Sequence, residues 1–123
     1  MANKKVIVVA FAIEDERQRD FLKGQSLNTR SLFEYVDMSV KKAYSSEWKE
    51  HVRTRIRRSD GVIALVSKNS FKSSGQKWEI DSTKEKDKPI LGLWAYQGDR
   101  TELAGVKTVV LKWETIKNFI DGL

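Results

Sequence analysis

The sequence predicts an α/β fold, a parallel β-sheet with helices on both faces, and three observations lead to it. Two continuous apolar runs, Val6 to Ile13 (VIVVAFAI) and Gly61 to Val66 (GVIALV), are rich in Val and Ile and do not alternate, which suits strands buried on both faces. Strand-like and helix-like segments alternate along the whole chain. The connections between strands are long enough to hold a helix, as parallel neighbours require.

Each element has its own signal. After the first strand, Val6 to Ile13, Asp15 stands as the N-cap of a helix with Gln18 at N3, a capping-box arrangement that leads through Phe21 and Leu22. Leu32 to Met38 (LFEYVDM) reads as the second strand, Leu32 and Val36 facing one way and Phe33 and Tyr35 the other. Ser46 caps the next helix, in which Trp48, Val52 and Ile56 recur at i, i+4 and i+8; this stripe should pack on the sheet and leave Arg53 and Arg57 in water. Gly61 to Val66 is the third strand, and Ser73 or Ser74 begins a helix containing Trp78 and Ile80. Pro89 closes that region ahead of the fourth strand, Ile90 to Trp94, and Thr108 to Leu111 is the fifth. A last helix runs from about Thr115, with Ile116, Phe119, Ile120 and Leu123 on one face. The expected architecture is one three-layer, flavodoxin-like domain over residues 1–123, with a five-stranded parallel sheet in the order 2-1-3-4-5.

Composition narrows the chemistry. A chain of 123 residues with 40% hydrophobic side chains is one globular domain rather than a disordered segment. Cys is absent and there is one His, which excludes disulfides, thiolate nucleophiles, thiolate zinc and multi-histidine centres; no metal site is expected. Lys and Arg number 23 against 17 Asp and Glu, a formal charge of +6, but the two signs are interspersed. The densest basic cluster, Arg53, Arg55, Arg57 and Arg58, falls in the last turns of a helix, where the dipole favours cations, and no aromatic residue is interleaved to stack bases. A nucleic-acid partner is therefore disfavoured. No apolar run approaches the roughly 20 residues of a membrane span, and Met1 to Lys5 lead into a strand without a signal-peptide layout, so a cytoplasmic protein without membrane attachment is expected.

In a doubly wound sheet, ligands bind beyond the carboxyl ends of the strands where the strand order reverses, here between strands 1 and 3. Four loops gather there: Phe11 to Asp15, Asp37 to Ser45, Ser67 to Trp78 and Ala95 to Asp99. Neither GxGxxG nor GxxxxGK[ST] is present, so a nucleotide must be held by other means. The acidic run Glu14, Asp15, Glu16 imitates the magnesium cluster of a phosphate-accepting receiver domain. Strand 3, however, ends in Val66, Ser67, Lys68 without an acceptor aspartate, and capping plus solvation account for the run. The richest loop is Ser67 to Asp81 (SKNSFKSSGQKWEID), which sets Glu79 beside the aromatic face of Trp78 within the first turn or so of a helix. Those residues suit a carboxylate at the rim of a ligand crevice. They equally suit a tryptophan anchoring a helix and a glutamate complementing its positive end.

Three stretches together resemble the TIR-like domains, closest to the ThsB-type branch of Thoeris anti-phage defence. They are the first strand and helix VIVVAFAIEDERQRDFL, the strand ending Val36-Asp37-Met38-Ser39, and Trp48 to Asp60 (WKEHVRTRIRRSD) leading into GVIALVS. The most specific piece is Ser73 to Ile80, which is similar to that family's serine, spacer, Trp-Glu-Ile signature; Pro89-Ile90-Leu91-Gly92 fits the following strand. Where relatives often carry an aromatic residue inside the spacer, this chain has Gly75 and Gln76.

The resemblance implies an NAD-consuming signalling enzyme of the NAD glycohydrolase or ADP-ribosyl cyclase type, with NAD as substrate and no cofactor. It implies Glu79 as the catalytic residue and a cyclic ADP-ribose isomer that activates a separate ThsA-like effector. In the crevice between the loops of strands 1 and 3, Phe11 and Trp78 are expected to line the substrate-binding pocket, with Asp37 and Ser73 as secondary candidates. It further implies self-association, with the loop Ser39 to Ser45 and its Lys41, Lys42 and Tyr44 completing a neighbour's site. The chemistry asks little of the protein: nicotinamide leaves NAD as a neutral group, so one carboxylate that stabilises the oxocarbenium charge can suffice. Water as the attacking group gives ADP-ribose and a group of the same molecule gives a cyclic isomer; the residues leave both open. The alternative is a non-catalytic TIR-like interaction module in which Glu79 is idle.

Overall fold

Strand β1 (Lys5–Ala10) begins the sheet. The computed structural model describes residues 5–15, 17, 18, 20, 33–37 and 46–123, with 13, 33–37, 46–48 and 74 described by their backbone alone. Strand β2 is Phe33–Asp37, β3 Gly61–Val66, β4 Ile90–Trp94 and β5 Thr108–Val110. All pairings are parallel and run β2-β1-β3-β4-β5. Helix α1 (Ser46–Arg58) lies between β2 and β3, α2 (Ser74–Glu85) between β3 and β4, and α3 (Trp113–Asp121) follows β5, giving an α/β fold with helices packed around the sheet.

Because side chains alternate across a strand, the central strands divide their residues between two apolar layers. Ile7, Val9, Ile63, Leu65, Leu91 and Leu93 face α3 and meet its Ile116 and Ile120. Val8, Ala10, Val62, Ala64 and Val66 face the other way and meet Val52 and Ile56 of α1 and Ile80 of α2. Every residue of β3 is buried, and this two-sided burial explains a strand that reads as a continuous apolar run. Gly92 in β4 marks a close approach: a Cβ there would stand 2.5 Å from Thr108 Oγ1 and 3.0 Å from Val106 Cγ1.

The local signals are met with adjustments. The run Val6 to Ile13 outlasts its strand, since β1 ends at Ala10 and Ile13–Asp15 forms a 3-10 turn. Helix α3 starts at Trp113, two residues before Thr115. Thr115 is the third helical residue: its hydroxyl accepts from Lys112 N at 3.3 Å and donates to Lys112 O at 2.7 Å and Val110 O at 3.0 Å. Arg57 is exposed as expected. Arg53 instead lies over the Trp78 ring, its guanidinium carbon 4.9 Å from the centroid. The expected positions of Phe21, Leu22 and Leu32, the loop 39–45 and the Trp48 side chain lie outside the described residues. Among the described residues, no helix is long and apolar enough to cross a membrane.

Candidate active site

The carboxyl ends of β1, β3 and β4 carry three loops that one side chain ties together. Asp15, in the 3-10 turn after β1, is fully buried. Its Oδ2 accepts from Ser67 Oγ at 2.6 Å, and its Oδ1 accepts from Asn69 Nδ2 at 2.9 Å and from the Tyr96 hydroxyl at 2.8 Å. Ser67 caps the 3-10 turn Lys68–Lys72 by accepting from Asn69 N at 3.0 Å. Burial, followed by the bond to Asp15, pushes the Tyr96 phenol up to about 12. Capping and solvation thus do not account for the whole acidic run: Glu14 is exposed, but Asp15 is an interior acceptor for three donors, and Glu16 lies outside the described residues.

On the β4 side of this network is an open cleft of about 750 Å³ lined by Lys68, Asn69, Tyr96, Gly98, Asp99, Arg100 and Thr101. Asp99 accepts from Lys68 N at 2.8 Å and from the Thr101 hydroxyl and N–H. The bond from the Thr101 side chain, then that from Lys68 N, holds its carboxyl below the usual carboxylate range. The guanidinium of Arg100 stacks over Trp94, 4.7 Å from the ring centroid.

The start of α2 stands at the other side of the β3 end. Ser73 is its N-cap: the Ser73 hydroxyl accepts from Gln76 N at 3.1 Å, which commits that oxygen to the helix. Gln76 is 1% exposed, and its Nε2 donates to Leu65 O at 2.7 Å and Ala10 O at 3.1 Å, bridging the ends of β3 and β1. Glu79, one turn further along, is 4% exposed.

The remaining residues singled out in the sequence are distributed around this centre. Trp78 faces α1, packed against the layer that contains Val52 and Ile56, with Lys49 Nζ 4.8 Å above its ring. Phe11 is buried in the opposite layer, with Ile7, Leu93 and Ile116. The sheet therefore separates Phe11 from Trp78. The backbone of Asp37 ends β2 opposite Val9 of β1, and its side chain is outside the described residues. Ser73, Gln76 and Glu79 share the first turns of α2, as its cap and its third and sixth residues; Gln76 is the one sequence reasoning did not select. The available signal was Ser73-x-x-Gln76, a capping-box spacing, although this glutamine reaches the strands rather than back to the cap. Among the described residues, no three His, Asp or Glu side chains gather as a metal ion would need.

A family model described as Thoeris protein ThsB, TIR-like domain, matches residues 8–100, well over half of the chain. The chain belongs to the ThsB TIR-like family. A search among curated proteins returns no match. The part matched to the ThsB TIR-like domain runs from within β1 to the loop after β4, and so includes Asp15, Gln76, Glu79 and Tyr96.

Proposed function

We propose that this ThsB TIR-like domain is an NAD-cleaving signalling enzyme of anti-phage defence, acting in the cytoplasm, with Glu79 as its catalytic carboxylate. The observation that carries the reading is a glutamate only 4% exposed, one turn inside the helix that starts at the β1/β3 ends, within the part of the chain that matches the family. Taking the sheet as the flavodoxin-like 2-1-3-4-5 arrangement puts a ligand beyond the β1 and β3 ends.

In the reaction, the bond between the ribose and the nicotinamide nitrogen breaks, its electron pair leaves with neutral nicotinamide, and positive charge develops on the ribose. A carboxylate shielded from water stabilises that charge more strongly than an exposed one. Capture by water, with loss of its proton, gives ADP-ribose; capture by a nucleophile of the same molecule gives a cyclic isomer, which exclusion of water favours. The cyclic isomer is the product we favour, read by a separate effector. Ser73 and Asp37 are then ligand contacts from the α2 cap and the β2 end, while Phe11 and Trp78, on opposite faces of the sheet, support those ends from behind rather than line one pocket together. Self-association through the loop 39–45 completes the site.

Glu79→Gln tests the mechanism because it keeps size and hydrogen bonding while removing the charge. Nicotinamide release should fall on the order of a hundredfold or more, a few kcal/mol in the barrier. Full NAD turnover by the variant would remove Glu79 from the mechanism and favour the interaction module.

A further inference from the structure

The amide of Gln76 joins three parts of the fold. Its two side-chain bonds go to Ala10 O and Leu65 O, carbonyls on neighbouring parallel strands where the β1–β3 register ends at Ala10 and Ala64. Both partners are carbonyl oxygens, so the nitrogen must face the strands and Oε1 must turn away from them. That Oε1 is buried and has no hydrogen-bond partner. The backbone N–H of the same residue donates to the Ser73 cap. A buried amide with an orphaned acceptor is a costly way to fill space, since an apolar side chain of similar size leaves nothing unsatisfied. The two donated bonds are what the amide adds.

We propose that Gln76 is a positioning residue, whose amide clamps the first turn of α2 to the ends of β1 and β3 and so holds the Glu79 carboxyl at the crevice. The inference deepens the NAD-cleaving reading and rests on it for its catalytic readout. Helix starts fray because their first N–H groups lack intrahelical partners. Glu79 lies one turn from this start, and a displacement of about 1 Å at a reacting group can cost on the order of a hundredfold in rate.

Two variants and one measurement on the unaltered chain test the clamp. Gln76→Met keeps the bulk and removes both donors; kcat should fall about ten- to a hundredfold with a much smaller change in KM. In Gln76→Glu an ionised carboxylate can donate to neither carbonyl, whereas a protonated one can donate to one. Its kcat, taken relative to the unaltered chain at each pH, should rise between about pH 8 and about pH 5, while the Met variant stays flat. In the unaltered chain, the amides of Lys77 to Ile80 should resist hydrogen exchange as strongly as those of β3, a readout that needs neither activity nor a folded variant. A Met variant with unaltered kcat, a flat Glu-variant profile, or exchange at the rate of a frayed helix end overturns the proposal. If Glu79→Gln keeps full activity, the functional reading fails and exchange alone decides the clamp. If Glu79→Gln is inactive and Gln76→Met is unaffected, the clamp fails and the reading stands.

Discussion

Asp15 is a single carboxylate with three donors from two other loops, Ser67, Asn69 and Tyr96. Asp15→Asn keeps the shape but replaces one acceptor oxygen by an NH2 that opposes a donor. Leaving a buried donor unsatisfied costs about 1–3 kcal/mol, so the variant should lose about 2 kcal/mol and several degrees of Tm; an unchanged melt would show that the network contributes nothing to stability. Tyr96 adds a pH dependence whose sign follows from its raised pKa. The unfolded phenol ionises near 10 and the folded one at about 12, so its contribution is complete below pH 10 and is lost as pH rises from there to about 12. Tyr96→Phe should remove that alkaline component, seen as a flatter Tm profile between pH 9 and about 12. None of this was legible in the sequence. Glu14, Asp15 and Glu16 look alike as letters, and only the tertiary approach of Ser67 and Tyr96 separates the middle one. Sequence alone puts Arg53 in water for the same reason: its position on α1 is evident, but the Trp78 ring beneath it comes from another helix.

At the scale of elements, α2 ends with the Asp87 N–H bonded to Lys84 O and the Lys88 N–H bonded to Thr83 O, and with Asp87 at φ 53°. This is the left-handed C-terminal turn that glycine favours, because a Cβ crowds the following carbonyl there. Asp87→Gly should stabilise the protein by about 0.5–1 kcal/mol, the relief of the left-handed conformation exceeding the extra unfolded-state entropy of glycine. Chemical denaturation with an unchanged m-value would measure it, and a loss of stability would show that the aspartate side chain is needed at the turn. The elements themselves were largely legible, since two-sided burial leaves uninterrupted apolar runs at β1 and β3. Their boundaries were less so: Phe11 and Ala12 stay buried after the ladder has ended, and apolarity reports burial rather than hydrogen bonding. Glu79 was legible only through the family signature, as its burial depends on how α2 is held against β1 and β3.

For the whole molecule, a formal charge of +6 means that copies repel one another. If activity depends on self-association, specific activity should rise with protein concentration. At a fixed low concentration it should also rise as salt shortens the screening length from about 30 Å at 0.01 M to about 8 Å at 0.15 M. Constant specific activity across both series would place a complete site within one chain. The sheet order has a different consequence, which falls on the nascent chain. Val8 has Val36 and Val62 as its register partners, so β1 leaves the ribosome before β3 and must wait for it before either of its apolar faces is flanked by both neighbours. At about 5–20 residues per second that wait lasts several seconds. Of the two, β1 is accordingly the strand a chaperone would hold longer, and slowing translation between residues 10 and 61 should lengthen its exposure to aggregation.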